Sequence, residues 1–350
     1  MIQSVESHAI ERWAKWFPEE ARPRLLRTLL VGPFDDAHEK EIIFFLFKEK
    51  TNKPSVVIKA ARFAEAEHLV EHEHRFLSKV HAALPEGWKS SVPRPLGLER
   101  IGGHLVFIQS CLPGRHLEED VPISAASRDR SVMERQMNSL ADWWIVFRRA
   151  TAPPSGANRA FDWDAQIADV HNEFAGCFDL DPQEHRFLEE YRARATSLGE
   201  AGVPVAGQHG DFCNVNIIAG NGRIGVIDWA FGQESRPPWP DLYTFASTFH
   251  CIQGCGGRAS VEEALRRSFI DDNWFSRLLG QWLGRCAGSA SLSPEVMVFA
   301  APLVFMENAL IGPRKYGRVR EADLAWRNRF NVLALEWDRF TTMHARLVRT

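Results

Sequence analysis

The sequence has little of what would mark a secreted, metal-clustered or membrane-spanning protein. It has six cysteines in 350 residues, at 111, 177, 213, 251, 255 and 286, and only Cys251 and Cys255 fall close together. That is neither a disulfide framework nor the paired Cys-x-x-Cys sets of a structural zinc site. Reduced, mostly buried thiols in a cytoplasmic protein are expected. No apolar run approaches the roughly 18 residues a membrane span requires. Met1 to Glu20 carries Glu, His and Trp where a secretory signal would be apolar. A net charge of −3 gives no reason to expect nucleic acid or an anionic membrane as the main partner. Internal repeats and low-complexity tracts are absent. What remains is ordinary globular composition, 45% hydrophobic and 25% charged in 39.7 kDa, enough for a sizeable core and two lobes.

The chemistry concentrates between Gln208 and Gly232. Two apolar runs, Ile217-Ile218-Ala219 and Ile224-Gly225-Val226-Ile227, flank Gly220-Asn221-Gly222. β-Branched runs around an Asn-Gly turn predict a hairpin with its open ends side by side. Asn216 stands just before the first strand and Asp228 just after the second, so an amide oxygen and a carboxylate are brought together. Asp211 lies five residues upstream of Asn216 on the loop leading in. Oxygen ligands of this kind suit magnesium, which completes its shell with phosphate oxygens and water. A site for a Mg-nucleotide is the natural reading.

His209-Gly210-Asp211, four residues, Asn216, and then Ile227-Asp228-Trp229 resemble the catalytic loop and metal-binding segment of the aminoglycoside phosphotransferase and choline kinase family. The resemblance implies a two-lobed, protein-kinase-like α+β fold, with a β-rich lobe over residues 1–111 and a mainly helical lobe over 112–350. It implies ATP and Mg2+ as cofactors and a small hydroxylated molecule as acceptor. Asp211 would orient the acceptor hydroxyl and take its proton, while Asn216, with Asn214 as rival, and Asp228 would hold magnesium. His209 would buttress the loop.

Other stretches fall in the matching order. Residues 5–20 predict an amphipathic helix with Ile10, Trp13 and Trp16 on one side. Strands are predicted over Leu25–Val31, Ile42–Phe47, Val56–Lys59 and His104–Gln109. The turn Gly32-Pro33-Phe34-Asp35-Asp36 stands where protein kinases carry a glycine-rich phosphate loop, and only Gly32 is present. Between Phe63 and Val80, Leu69, Val70, Phe76, Leu77 and Val80 recur at helical spacing, and Glu73 falls within that apolar stripe. A carboxylate on a buried face needs a partner, and Lys59 is the available cation; Lys53 and Glu67 are the alternatives. The pair resembles the family's phosphate-contacting lysine and the helix glutamate that orients it. The strand running into Ser110-Cys111-Leu112-Pro113-Gly114 resembles the family's hinge, where backbone groups at Ser110 and Cys111 would meet adenine. Asp241 would accept hydrogen bonds from the catalytic-loop backbone or cap its own helix.

The acceptor is read from the C-terminal segment. Between Gly312 and Thr350 nine basic residues face four acidic ones, a difference of 9 − 4 = +5. Tyr316, Trp326 and Trp337 lie among them, and Trp239 and Tyr243 lie earlier. Aromatic faces suit sugar rings and also quaternary amines, while a polycationic acceptor would need an acid-rich pocket. The expectation is a neutral or anionic hydroxylated acceptor, a sugar or sugar derivative, with choline/ethanolamine or aminoglycoside kinase as the alternatives. A nucleotide-binding pseudokinase would have lost one of Lys59, Asp211, Asn216 or Asp228. A protein kinase would show a glycine-rich loop and an Ala-Pro-Glu element, and neither is found.

Overall fold

A computed structural model describes residues 2–32, 41–117, 130–154, 158–198, 200–220, 223–253 and 260–348. The predicted turn at Pro33-Phe34-Asp35-Asp36 and the hairpin tip Asn221-Gly222 lie outside the described residues. The chain divides into two compact units, Met1–His116 with Asn216–Gln233, and Leu117–Val215 with Glu234–Thr350. It therefore passes from one unit to the other three times, not once near Cys111 as expected. The physical reason is strand pairing. Strand β6 (Arg115–His116) pairs with β10 (Ile217–Gly220) through Ile218↔His116 and Ala219↔Arg115, which ties the central hairpin to the sheet unit. Gly114, at φ +143°, makes this possible: a Cβ there would lie 2.5 Å from Ile218.

The sheet unit is built on an antiparallel sheet of five strands in the order β1-β2-β3-β5-β4. These are β1 (Leu26–Val31), β2 (Glu41–Lys48), β3 (Pro54–Ala61), β4 (Pro95–Ile101) and β5 (His104–Ser110). Alternation sends Phe44, Leu46, Val56, Ile58, Ala60, Val106 and Ile108 to one face. There they pack against Val5, Ala9, Trp13 and Trp16 of helix α1 (Ile2–Trp16). Lys59 alternates with Ile58 and Ala60, so it points to the other side, toward helix α2 (Glu67–Ala83). That helix buries Val70, Glu73, Phe76, Leu77 and Val80, one stripe at i, i+3, i+4 spacing. The hairpin of β10 with β11 (Arg223–Val226) has the register Ile217↔Val226 to Gly220↔Arg223.

The helical unit packs around one largely apolar helix. Its elements include α3 (Arg130–Thr151), β7 (Asn158–Asp162), α4 (Trp163–Cys177), α5 (Pro182–Leu198), β8 (Glu200–Pro204), β9 (Ala206–Gln208), β12 (Gln233–Arg236) and α6 (Trp239–Gln253). Beyond Ser260 come α7 (Val261–Leu265), α8 (Trp274–Ser289), α9 (Pro294–Ala309), α10 (Ile311–Tyr316), α11 (Glu321–Leu335) and α12 (Trp337–Val348). Helix α9 is buried from Met297 to Met306 and touches α4, α6, α11 and α12. The stretch Pro294–Tyr316 is long and apolar enough to cross a membrane, contrary to the reading that no such run exists, but 72% of its apolar window is buried inside the protein. It is the core of this unit. Two short ribbons complete it: β7 pairs with β8, and β9 pairs with β12.

Candidate active site

In the sheet unit, strand β3 and helix α2 bring Lys59 and Glu73 together: Nζ of Lys59 donates to both Glu73 oxygens at 2.7 and 2.8 Å. The alternatives fall away, because Lys53 stands before β3 and Glu67 pairs with Arg100 at 2.6 Å. Lys59 also donates to Asp228 Oδ1 at 2.6 Å. Burial alone would lower the Lys59 pKa, but the Glu73 and Asp228 carboxylates reverse this and hold it raised. Burial likewise pushes the Glu73 carboxyl up, against the pull of Lys59. The two shifts favour opposite charge states for one pair, and the geometry decides between them. Lys59 Nζ and the Trp229 N–H, 3.1 Å from Glu73 Oε1, can only donate, so both Glu73 oxygens act as acceptors.

The hairpin sets the backbone of Asn216 beside Ile227, next to Asp228 in sequence. The Ile227 N–H donates to the Asn216 carbonyl at 2.9 Å, one step beyond the Ile217↔Val226 pair, and Asp228 follows directly. Asp228 adopts φ 64°, a left-handed conformation costly for a side chain other than glycine, although Asp is among those that visit it. Strain of this kind is typical of functional turns. Its carboxylate is 41% exposed although one oxygen is on Lys59, so it can still reach a ligand. An amide oxygen and a half-exposed carboxylate fit magnesium's preference for few protein ligands. Among the described residues no cluster of three or more His, Cys, Asp or Glu could hold a metal by itself.

The turn after Asp228 is fastened to α2 by residues that the motif did not reveal. His72 Nε2 lies 2.7 Å from the Gly232 carbonyl, and Phe76 packs on Trp229 with ring centroids 5.9 Å apart. Gly232 is required by this close approach, since a Cβ there would fall 2.1 Å from the Phe76 ring. At the other end of the sheet, the Ser110 N–H donates to Arg94 O at 2.9 Å and the Cys111 N–H to Ser55 O at 3.0 Å. Both amides expected at the hinge are thus committed within the sheet.

In the helical unit the loop bearing Asp211 is held by buried charges. Asp241 does not simply cap its helix: its two oxygens accept the N–H groups of His209 at 2.8 Å and Gly210 at 2.9 Å. Burial raises the Asp241 pKa, and these donors with His209 and Arg148 oppose that. His209 is fully buried, and its Nδ1 accepts the Asp211 N–H at 3.3 Å. Gly210 at φ 83° turns the chain between them. Phe212, also fully buried, stacks on Trp143 at 5.6 Å, so both neighbours of Asp211 in the motif are anchored while Asp211 itself is half-buried. Asn214 is buried, and its Nδ2 has no hydrogen-bond partner among the described residues.

Arg148 was not anticipated. Its guanidinium, 6% exposed, donates to three carbonyls: Gly207 at 3.1 Å, Arg236 at 2.9 Å and Pro204 at 3.2 Å. Burial lowers its pKa to about 10, with Asp241 opposing. The signal was present: Ala141, Trp144, Arg148 and Thr151 share helical spacing, the argument that identified Glu73. Thr151 accepts the Gly207 N–H at 3.0 Å, so α3 grips the strand that leads into Asp211 from two positions.

The C-terminal arginines do not form a free basic patch. Arg314 pairs with Glu173, Arg320 with Asp323, Arg327 with Glu184, Arg339 with Asp271 and Glu336, and Arg346 lies 3.9 Å from Asp272. Arg314, Arg327, Arg339 and Arg346 thus meet acids outside that segment, while Arg320 pairs within it. Trp239, Tyr243 and Trp337 are core residues, at most 9% exposed, and Arg329 covers Trp326 at 4.5 Å. None of these four is a free aromatic platform, which corrects the expectation built on them.

The profile of the phosphotransferase enzyme family known as APH matches residues 44–261, more than half of the chain and the span that holds Lys59, Glu73, Asp211, Asn216, Asp228 and Asp241. No curated protein sequence matches the chain. Among solved structures, a candidate aminoglycoside phosphotransferase from Ralstonia eutropha JMP134 superposes with a TM-score of 0.57 at 14% identity, covering 96% of this chain and 98% of its own. A thermostable variant of aminoglycoside phosphotransferase APH(4)-Ia, in ternary complex with AMP-PNP and hygromycin B, gives 0.53 at 16% identity, covering 94% and 97%. At these identities the likeness is one of fold. The chain therefore belongs to the phosphotransferase enzyme family and has the α+β, protein-kinase-like fold.

Proposed function

We propose that the chain transfers the γ-phosphate of ATP to a hydroxyl of a small molecule, a sugar or sugar derivative. One observation carries the reading: a single lysine, Lys59, bridges a buried glutamate and the left-handed, half-exposed Asp228. A lysine held charged by a carboxylate behind it is suited to meet phosphate oxygens, and phosphoryl transfer is mostly positioning and charge neutralisation. Glu73 orients Lys59. Asn216 and Asp228 are the residues that would hold Mg2+, which when bound neutralises phosphate charge. Asp211 orients the acceptor hydroxyl and takes its proton. One carbonyl at the Ser110–Cys111 strand end accepts from the adenine amino group. APH(4)-Ia has been captured with a nucleotide analogue and a hydroxylated acceptor on the same fold, which supports assigning both ligands here. An aminoglycoside acceptor is disfavoured, because Glu173, Glu184 and Asp271 of the helical unit are already paired with arginines. Free thiols at Cys111, Cys177, Cys213 and Cys286 fit a cytoplasmic setting.

A panel of hydroxylated metabolites, read by ATP consumption with Asp211→Asn as control, tests the assignment. Turnover of a sugar that disappears in the control is the expected result. Consumption equal in both proteins, or none with any acceptor, overturns it.

A further inference from the structure

Two consecutive residues of α2 hold the two ends of the turn that follows Asp228. That turn runs from Trp229 to Gly232 and is closed by the Gly232 N–H, which donates to the Trp229 carbonyl at 3.0 Å. At its start the Trp229 N–H donates to Glu73 Oε1 at 3.1 Å. At its end the Gly232 carbonyl lies 2.7 Å from His72 Nε2. A carbonyl can only accept, so the His72 ring carries a hydrogen on Nε2. Arg75 Nη2, which can only donate, lies 3.3 Å from the other ring nitrogen, Nδ1. The two contacts select one tautomer and one ring orientation, and Phe76 stacks on the ring with centroids 6.4 Å apart. All of these residues belong to the sheet unit.

We propose that His72 is a positioning residue for Mg2+: by anchoring the far end of this turn, it fixes the direction in which Asp228 presents its carboxylate. The proposal rests on the phosphotransfer reading above, in which Asp228 is a metal ligand. Asp228 is sensitive to such an anchor. Its φ of 64° is costly for a side chain and persists only where the surroundings impose it. Its carboxylate is half-exposed, so its direction is set by the backbone and by Lys59 more than by packing.

Glu73 and Phe76 also grip the turn, but each has a second task. Glu73 holds Lys59 with both oxygens, and Phe76 is a core residue against Trp229. His72 meets the turn through one hydrogen bond and takes no part in the Lys59–Glu73 pair. Its loss therefore frees one end of the turn to swing about the Asp228–Trp229 peptide while the lysine keeps its place. Magnesium demands near-ideal octahedral geometry with ligands at about 2.0–2.1 Å, so a small swing of one carboxylate costs affinity. Groups that orient a metal ligand typically govern about 10–100-fold of metal affinity. A metal-free triphosphate meets Lys59 and does not sense the change.

Calorimetric titration of ATP, with EDTA and at a series of Mg2+ concentrations, reads this without any acceptor. In His72→Ala the magnesium-dependent tightening of ATP binding should shrink about tenfold, while the Kd for metal-free ATP stays within about twofold of wild type. His72→Gln, whose amide N–H can replace Nε2–H, should recover most of the loss, and both variants should melt near wild type. Magnesium dependence in His72→Ala equal to wild type overturns the proposal. So does a loss shared equally by metal-free ATP, which would make His72 part of the scaffold of the lysine site. If His72→Ala does not fold, His72→Leu, which fills the space without a donor, is compared with His72→Gln by the same criterion. The assignment of Asp228 is judged in the wild type alone: ATP binding that Mg2+ does not tighten removes it as a ligand, and the proposal falls with it.

Discussion

In the sheet unit Lys59, Glu73 and Asp228 meet side chain to side chain, and the last of them is 41% exposed. In the helical unit Arg148 and Asp241, 6% and 2% exposed, reach backbone groups: three carbonyls for one, two N–H groups for the other. The first arrangement leaves a charge that a ligand can share. The second consumes its charge in fixing the path of the chain that leads into Asp211. Buried charge thus stays partly open to solvent in one unit and is bound to backbone in the other, although both cost desolvation.

The sharpest way to break the comparison is to disarm the residue whose loop the helical unit positions. Asp211→Asn should lower turnover by about 10²–10⁴-fold while leaving Mg-ATP affinity and melting temperature near wild type. A variant with normal turnover but reduced stability would instead make Asp211 part of the scaffold. The next largest effect belongs to the sheet unit. Asp228→Ala should remove most of the magnesium-dependent tightening of ATP binding, about 10–100-fold, seen by calorimetry with and without Mg2+. Equal magnesium dependence in variant and wild type would place the ligands elsewhere. Arg148 sharpens the contrast from the other side. Arg148→Met leaves three carbonyls without their donor and should cost about 2–4 kcal/mol of stability and roughly tenfold in turnover, with KM for ATP unchanged. Arg148→Lys, keeping a charge and part of the donor set, should recover some of both; a KM for ATP that moves with kcat would deny Arg148 a role confined to the loop.

The same contrast explains what the sequence disclosed. The residues proposed to carry the chemistry form a spaced set, so Asp211, Asn216 and Asp228 were legible as a motif, and Lys59 with Glu73 followed from one misplaced carboxylate in an apolar stripe. Strands β1, β2, β3 and β5 were legible as short apolar runs, and helices α1 and α2 from the apolar stripe each carries. Strand β4 was not: Pro95-Leu96-Gly97-Leu98-Glu99-Arg100-Ile101 is half-buried along most of its length and opens on a proline. The ribbons β6, β7–β8 and β9–β12 are two to five residues long and owe their existence to pairing with distant segments, which no local pattern encodes. Arg148 was hidden for another reason. Its partners are carbonyls, and every residue has one. The C-terminal arginines misled because a count of charge says nothing about which acids fold back onto them.

The smallest effect concerns a buried titratable group in the helical unit that neither binds nor positions the site. His344 is 1% exposed among Phe269, Phe340 and Tyr243, with its Nε2 2.8 Å from the Tyr243 hydroxyl. That hydroxyl donates to the Met297 carbonyl at 2.5 Å, so the imidazole donates to it from Nε2–H. Burial lowers the His344 pKa to about 3. In the unfolded chain the same ring takes a proton near pH 6.5. As pH falls below that value the unfolded state binds a proton that the folded state refuses. Stability is therefore lost progressively toward pH 3, at a slope approaching 1.4 kcal/mol per unit, about 2 kcal/mol by pH 5. His344→Gln keeps an N–H donor for Tyr243 and cannot titrate. Denaturant unfolding of the two proteins from pH 7.5 to 5 should give curves that converge or cross as the pH drops, because wild type alone carries this loss. The buried acids Glu73, Asp241 and Glu307, whose pKa values are raised, act in the opposite sense but equally in both proteins, so the difference isolates the histidine. Parallel curves would mean that His344 is protonated in the folded state, and that its partner in the core is an anion rather than the tyrosine.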